Sequence, residues 1–61
     1  MNKLLTEFTD GDSNVKLVRT SKSKFKVVYG SHMACDLPID AAFEEFGNCV
    51  RHSLECAGKL D

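Results

Sequence analysis

The chain has no hydrophobic run approaching the roughly 18 residues that a membrane span needs. Its opening stretch, Met1-Asn2-Lys3-Leu4-Leu5-Thr6-Glu7-Phe8, contains no signal-peptide apolar core. Membrane insertion and export are therefore not expected, and the expected location is the cytoplasm. Cysteine lacks an even count, with Cys35, Cys49 and Cys56, which argues against a closed intrachain disulfide framework. Reduced thiols in a reducing compartment are the simpler expectation. Neither sign of charge dominates: the formal net charge is −1, so the chain as a whole predicts no preference for nucleic acid or membrane. There is no internal repeat, no glycine-rich phosphate loop and no paired-carboxylate signature. The 61 residues leave room for a single domain spanning 1–61. A domain of this size buries only about 60% of its unfolded surface, so dimerisation, a metal or a disulfide would help it fold.

What is present reads as short strands followed by one helix. Lys3 to Phe8 alternates as a first strand, with Leu4, Thr6 and Phe8 on one side and Lys3, Leu5 and Glu7 on the other. Asp10 to Asn14 is a turn cluster. Val15 to Thr20 is a second strand, and Ser21 to Lys24 is short and polar enough for a hairpin loop. Phe25 to Tyr29 alternates most clearly and is rich in aromatic and β-branched residues. Gly30-Ser31 is another turn, and His32 to Leu37 reads as a fourth strand with Met33, Cys35 and Leu37 inward. The sole proline, Pro38, suits the first helical position. Ile39, Ala42, Phe43, Phe46, Val50, Leu54 and Ala57 then recur as one apolar stripe. Asp40, Glu44 and Glu45 complement the helix dipole. Gly58 is placed to end the helix, with Leu60 folding back in a Schellman arrangement. Gly47 is either a point of close approach or a slack spot. The expected fold is α+β: an antiparallel meander of three to four strands with one C-terminal amphipathic helix on one face. Phe43, Phe46, Val50 and Leu54 are expected to pack on Leu17, Phe25, Val27 and Tyr29.

Three features carry candidate chemistry. The first is His32-x-x-Cys35 followed by His52-x-x-x-Cys56, with Cys49 as a further donor. This is the layout of a small zinc module with permuted ligand types. Strand alternation, however, sends His32 and Cys35 in poorly converging directions, so the expectation is a chain without metal or cofactor. The second is charge. Lys16, Arg19, Lys22, Lys24 and Lys26 fall in one hairpin, with no acid between Asn14 and Cys35. Such a hairpin can track phosphates, or it can be a solvated hairpin whose lysines discourage aggregation. The third is the sheet face that a single helix leaves uncovered. Leu5, Val18, Val28 and Ala34 are expected there, mixed with Lys16, Lys26 and His32, as a surface for self-association or a partner. Cys35 or Cys49 with His52 are the only nucleophile-base candidates. Nothing in so short a chain supplies a pocket for them, so no enzyme is expected.

The order of elements loosely resembles the three-strand-plus-helix arm-binding domains of integrases, which lay a sheet in the major groove. Double-stranded-RNA domains also end in sheet then helix, but they carry lysines at the helix start, where this chain has acids. The closing stretch runs Ala42-Phe43-Glu44-Glu45-Phe46-Gly47-Asn48-Cys49-Val50-Arg51-His52 and on to Ala57-Gly58-Lys59-Leu60-Asp61. It resembles the tails of small phage and prophage accessory proteins. That resemblance covers the last third of the chain and carries over no functional residues. It implies a protein of the host-cell cytoplasm that acts by binding a host component. The expected function is a non-enzymatic, homodimeric interaction protein, with Lys16, Val18, Arg19, Lys22, Lys24, Lys26 and Val28 as candidate contact residues. The alternatives are nucleic-acid binding through the hairpin 16–26 and a small zinc module.

Overall fold

The computed structural model describes residues 2–59. Four strands, β1 (Lys3–Asp10), β2 (Ser13–Arg19), β3 (Phe25–Tyr29) and β4 (His32–Leu37), precede one helix, α1 (Ile39–Cys56). The strands pair antiparallel in the order β1-β2-β3-β4, the meander expected from the sequence. Two hairpins close on two-residue turns, Gly11-Asp12 and Gly30-Ser31, since Asp10 pairs with Ser13 and Tyr29 with His32. Gly11 and Gly30 take φ of 60° and 57°, the left-handed start that a tight II′-type hairpin turn demands. The first turn is thus narrower than the 10–14 cluster suggests, and Ser13 and Asn14 belong to β2. The longer β2–β3 loop folds on itself: the Thr20 and Ser21 amides both donate to the Lys24 carbonyl, at 2.9 and 3.2 Å.

Two bulges reset the alternation and correct the sequence-based faces. In β1 the register slips between Leu4 and Thr6, so Leu4 pairs with Val18 and turns to the open face, while Thr6 and Phe8 stay opposite Leu17 and Val15. The expected grouping of Leu4 with Thr6 and Phe8 therefore fails. In β4, Leu37 pairs with Phe25 and Ala34 with Val27, which leaves Cys35 and Asp36 opposite Lys26 alone. Asp36 absorbs the extra residue with a φ of 57°; aspartate is among the few non-glycine residues that tolerate this region. Met33 and Cys35, expected inward, are both exposed. Ala34 and His32, expected on the open face, share the helix side with Val27 and Tyr29.

The core is small. Val15, Leu17 and Val27 lose all exposure under the helix residues Ala42, Cys49 and Ser53, which are themselves buried. Phe8, Phe25, Tyr29, Leu37, Phe46 and Val50 pack around this centre. The helix is therefore rolled relative to the expected stripe. Small side chains face the sheet and let the backbone approach, while Phe43 remains 54% exposed. Phe46 and Val50 meet the core as expected; Phe43 does not.

Pro38 is the N-cap rather than the first helical residue, with φ −67° and ψ 164°. Its carbonyl accepts the Ala42 amide at 2.9 Å. At the other end the Gly58 amide donates to Glu55 O and the Lys59 amide to Leu54 O, at 3.0 and 2.9 Å, and Gly58 has φ 71°. These are the paired bonds of a Schellman motif. The expected apolar contact of Leu60 lies outside the described residues. Lys59 then pairs with Asp10, tying the helix end to the tip of β1.

Candidate functional site

The open face of the sheet is assembled from all four strands. Cross-strand partners point to the same side, so Leu4 and Val18 share it, as do Glu7, Lys16, Val28 and Met33, and Val18 lies beside Lys26. Lysine and valine alternate here like a checkerboard: Lys16 is opposite Val28 and Val18 is opposite Lys26. Leu4 and Met33, exposed by 50% and 55%, extend the apolar diagonal to the outer strands. Glu7 on this face is occupied by Asn14, whose amide donates to it at 2.7 Å and to the Thr9 hydroxyl at 2.9 Å.

Of the seven candidate contact residues, the structure brings Lys16, Val18, Lys26 and Val28 onto this one surface. Lys22 and Lys24 stand apart in the exposed β2–β3 loop. Arg19 shares the parity of Val15 and Leu17 and lies off the open face. Its guanidinium instead braces the loop, donating from Nε to Ser21 O at 3.1 Å and from Nη2 to Lys22 O at 3.0 Å. Sequence reasoning missed Leu4 and Met33 as members of the surface, because a bulge moves each to the opposite face. An aspartate at the bulged position of β4 is the only local signal, and it is a faint one.

The helix has two unlike flanks. At about 100° per residue, Ile39, Phe43, Gly47, Val50 and Leu54 fall within an arc of about 80° that holds no charge. Ile39 and Phe43 on it are 40% and 54% exposed. The other flank carries Glu45, Cys49, His52 and Cys56 and looks toward Tyr29 and His32. His52 Nδ1 sits 3.2 Å from the Tyr29 hydroxyl, with the two rings edge to face at 5.8 Å. Cys56 Sγ lies 3.7 Å from His52 Nε2.

His32 reaches across from β4 to Glu45, Nε2 to Oε2 at 3.1 Å. The Cys49 thiol donates to the same oxygen at 3.6 Å. Burial, and then the charge and hydrogen bond of Glu45, push the Cys49 thiol above its ordinary pKa. The permuted zinc-finger set of His32, Cys35, His52 and Cys56 does not assemble. Among the described residues, the only grouping of three or more potential metal-ligating side chains is His32, Glu45 and Cys49, with their ligand atoms all within 4.8 Å. Cys35 falls in the exposed bulge.

Among the described residues, no helix is long and apolar enough to cross a membrane. Compared with protein-family models, with curated proteins and with solved structures, the chain matches none.

Proposed function

We propose that the chain is a small non-enzymatic interaction protein, phage-encoded and acting in the host-cell cytoplasm, that binds and modulates a host protein through the open face of its sheet. The observation that carries this reading is the checkerboard of Lys16, Val18, Lys26 and Val28, flanked by exposed Leu4 and Met33. An uncovered apolar diagonal edged by cations suits a partner with an apolar centre and an acidic rim. Apolar contact would supply affinity, and charge would supply steering and orientation. The non-enzymatic part of the reading is supported by Cys49. It is buried, with its thiol pushed toward the neutral form, the opposite of what an attacking thiolate needs.

The same lysines make this face repel a second copy of itself, so the homodimer in this reading forms elsewhere. The charge-free flank around exposed Ile39 and Phe43 carries no like charges to repel a second copy, which suits a two-fold contact. Cys49, on the sheet-facing side of the helix, is buried and contributes nothing to such a contact.

A direct test is capture from host lysate with the wild-type chain, a Val18→Thr/Val28→Thr variant and a Lys22→Glu/Lys24→Glu variant. The reading expects an acidic host protein that is lost with the face variant and retained with the loop variant. A second reading, phosphate tracking by the hairpin, is favoured by the hollow that Lys3, Arg19, Ser21 and Lys22 line beside the loop. It expects the reverse pattern, together with binding of DNA or RNA that falls steeply with salt.

A further inference from the structure

Three side chains from two elements converge beside the core. Glu45 and Cys49 are one helical turn apart on α1, and His32 stands on β4, paired with Tyr29 on the helix-facing side. Their ligand atoms lie 3.1 Å apart for His32 Nε2 and Glu45 Oε2, and 3.6 Å apart for Cys49 Sγ and Glu45 Oε2. The third separation is within 4.8 Å. Zinc bonds of about 2.0–2.3 Å to nitrogen, oxygen and sulfur place tetrahedral ligands roughly 3.3–3.7 Å from one another. Two of the three edges therefore already fit to within a few tenths of an ångström, and His32, whose side chain is exposed, is the ligand with room to move and shorten the third.

We propose that His32, Glu45 and Cys49 form a binding site for Zn²⁺, with water as the fourth ligand. This departs from the metal-free chain expected from sequence, and it uses a different ligand set from the His-Cys pattern read there. A thiolate, an imidazole and a carboxylate together select zinc over the hard oxygen-loving cations. The charges balance: the carboxylate and the thiolate offset the dication, and the imidazole binds neutral. On binding, the Cys49 S–H bond breaks and its proton leaves to solvent as the Zn–S bond forms. His32 Nε2, which donates its N–H to Glu45 in the metal-free protein, releases that proton to solvent while Nδ1 takes one up, so the neutral ring keeps a single proton and the Nε2 lone pair faces the metal. Glu45 is the bridge in the metal-free protein, already touching both other ligands, so little rearrangement is needed.

The site has a structural consequence. β4 is an edge strand, bulged at Cys35 and Asp36, that pairs with β3 alone. A metal held by His32 on this strand and by two residues of α1 pins the edge to the helix. Metal binding then becomes part of folding, as befits a chain too short for a large core. The neighbouring His52–Cys56 pair is a weaker candidate, because both residues are exposed and no third donor joins them among the described residues.

The test uses the full chain, reduced and stripped with a chelator, titrated with Co²⁺ and then displaced with Zn²⁺. The expected result is a thiolate-to-cobalt charge-transfer band that saturates at one equivalent, and a melting temperature that rises with Zn²⁺. Cys49→Ala should abolish the band. His32→Ala and Glu45→Gln, both away from the buried centre, should weaken binding by more than the roughly 10–100-fold that loss of an outer-shell partner costs. Cys35→Ser, Cys56→Ser and His52→Ala should leave it unchanged. If Cys49→Ala does not fold, the two exposed-side variants still decide the matter. Absence of the band at stoichiometric cobalt overturns the proposal. So does binding that survives His32→Ala and Glu45→Gln, or that vanishes with Cys56→Ser.

Discussion

The two faces of the sheet are built from similar residues and have opposite fates. On the helix side, Val15, Leu17 and Val27 have no exposure. On the open side, Val18 and Val28 are only partly buried, with lysines as their cross-strand neighbours. The same side-chain chemistry is structural in one place and available for binding in the other. The difference lies in what lies over it: three small helix residues, Ala42, Cys49 and Ser53, bring α1 close enough to seal one face, while no described element covers the other.

The largest effect expected from breaking this contrast is at Leu17. Leu17→Ala should cost about 2–5 kcal/mol, enough to unfold a domain of marginal stability. The adjacent Val18→Thr should change stability by about 0.5 kcal/mol or less, as at other surface positions. Urea denaturation of the two variants side by side measures the contrast. Equal losses would mean that both faces are covered in solution.

The covering helix can itself be loosened or firmed. Gly58→Ala forces a Cβ into a left-handed backbone and should destabilise by about 1–2 kcal/mol. Gly47→Ala sits in ordinary helical backbone, and its new Cβ meets no atom within 4 Å, so it should stabilise by about 0.5–1 kcal/mol. Opposite shifts in melting temperature are the expected readout, and the same sign for both would contradict the helix end described above.

The charge-free helix flank is expected to matter as little to stability as the open face of the sheet. Phe43→Asn should alter folding by no more than about 0.5 kcal/mol, yet it should turn the proposed dimer into a monomer in sedimentation at micromolar concentration. A dimer that persists in this variant would move the self-contact to the strand edges.

Much of this fold could be read from residue order. Alternation from Val15 to Arg19 and from Phe25 to Tyr29 marks the central strands, because neither is interrupted by a bulge. Glycine at 11, 30 and 58 marks the points where the backbone must turn left-handed. The outer strands were less legible. One extra residue near Leu5 and another at Asp36 exchange the two faces, and a bulge leaves almost no trace in composition. The helix was found, but its orientation was not. A stripe drawn through the apolar residues from Ile39 to Ala57 centres near Phe43 and Val50, whereas this sheet is met by Ala42, Cys49 and Ser53, two of which lie off that stripe. The candidate metal site followed the same course. His32, Cys49 and Glu45 could each be picked out, but they appeared as members of other patterns.

Sequence alone determined the elements of this protein, their order, the places where the chain reverses and the end of its helix. Those features depend on local backbone preference and on periodicity within a few residues. Only the tertiary structure decided which side of each outer strand meets the helix, which helix residues are buried, and which donors converge. Those outcomes depend on registers and close approaches between segments far apart in the chain, and His32 meets Glu45 because the β4 bulge and the Tyr29 pairing place it on the helix side.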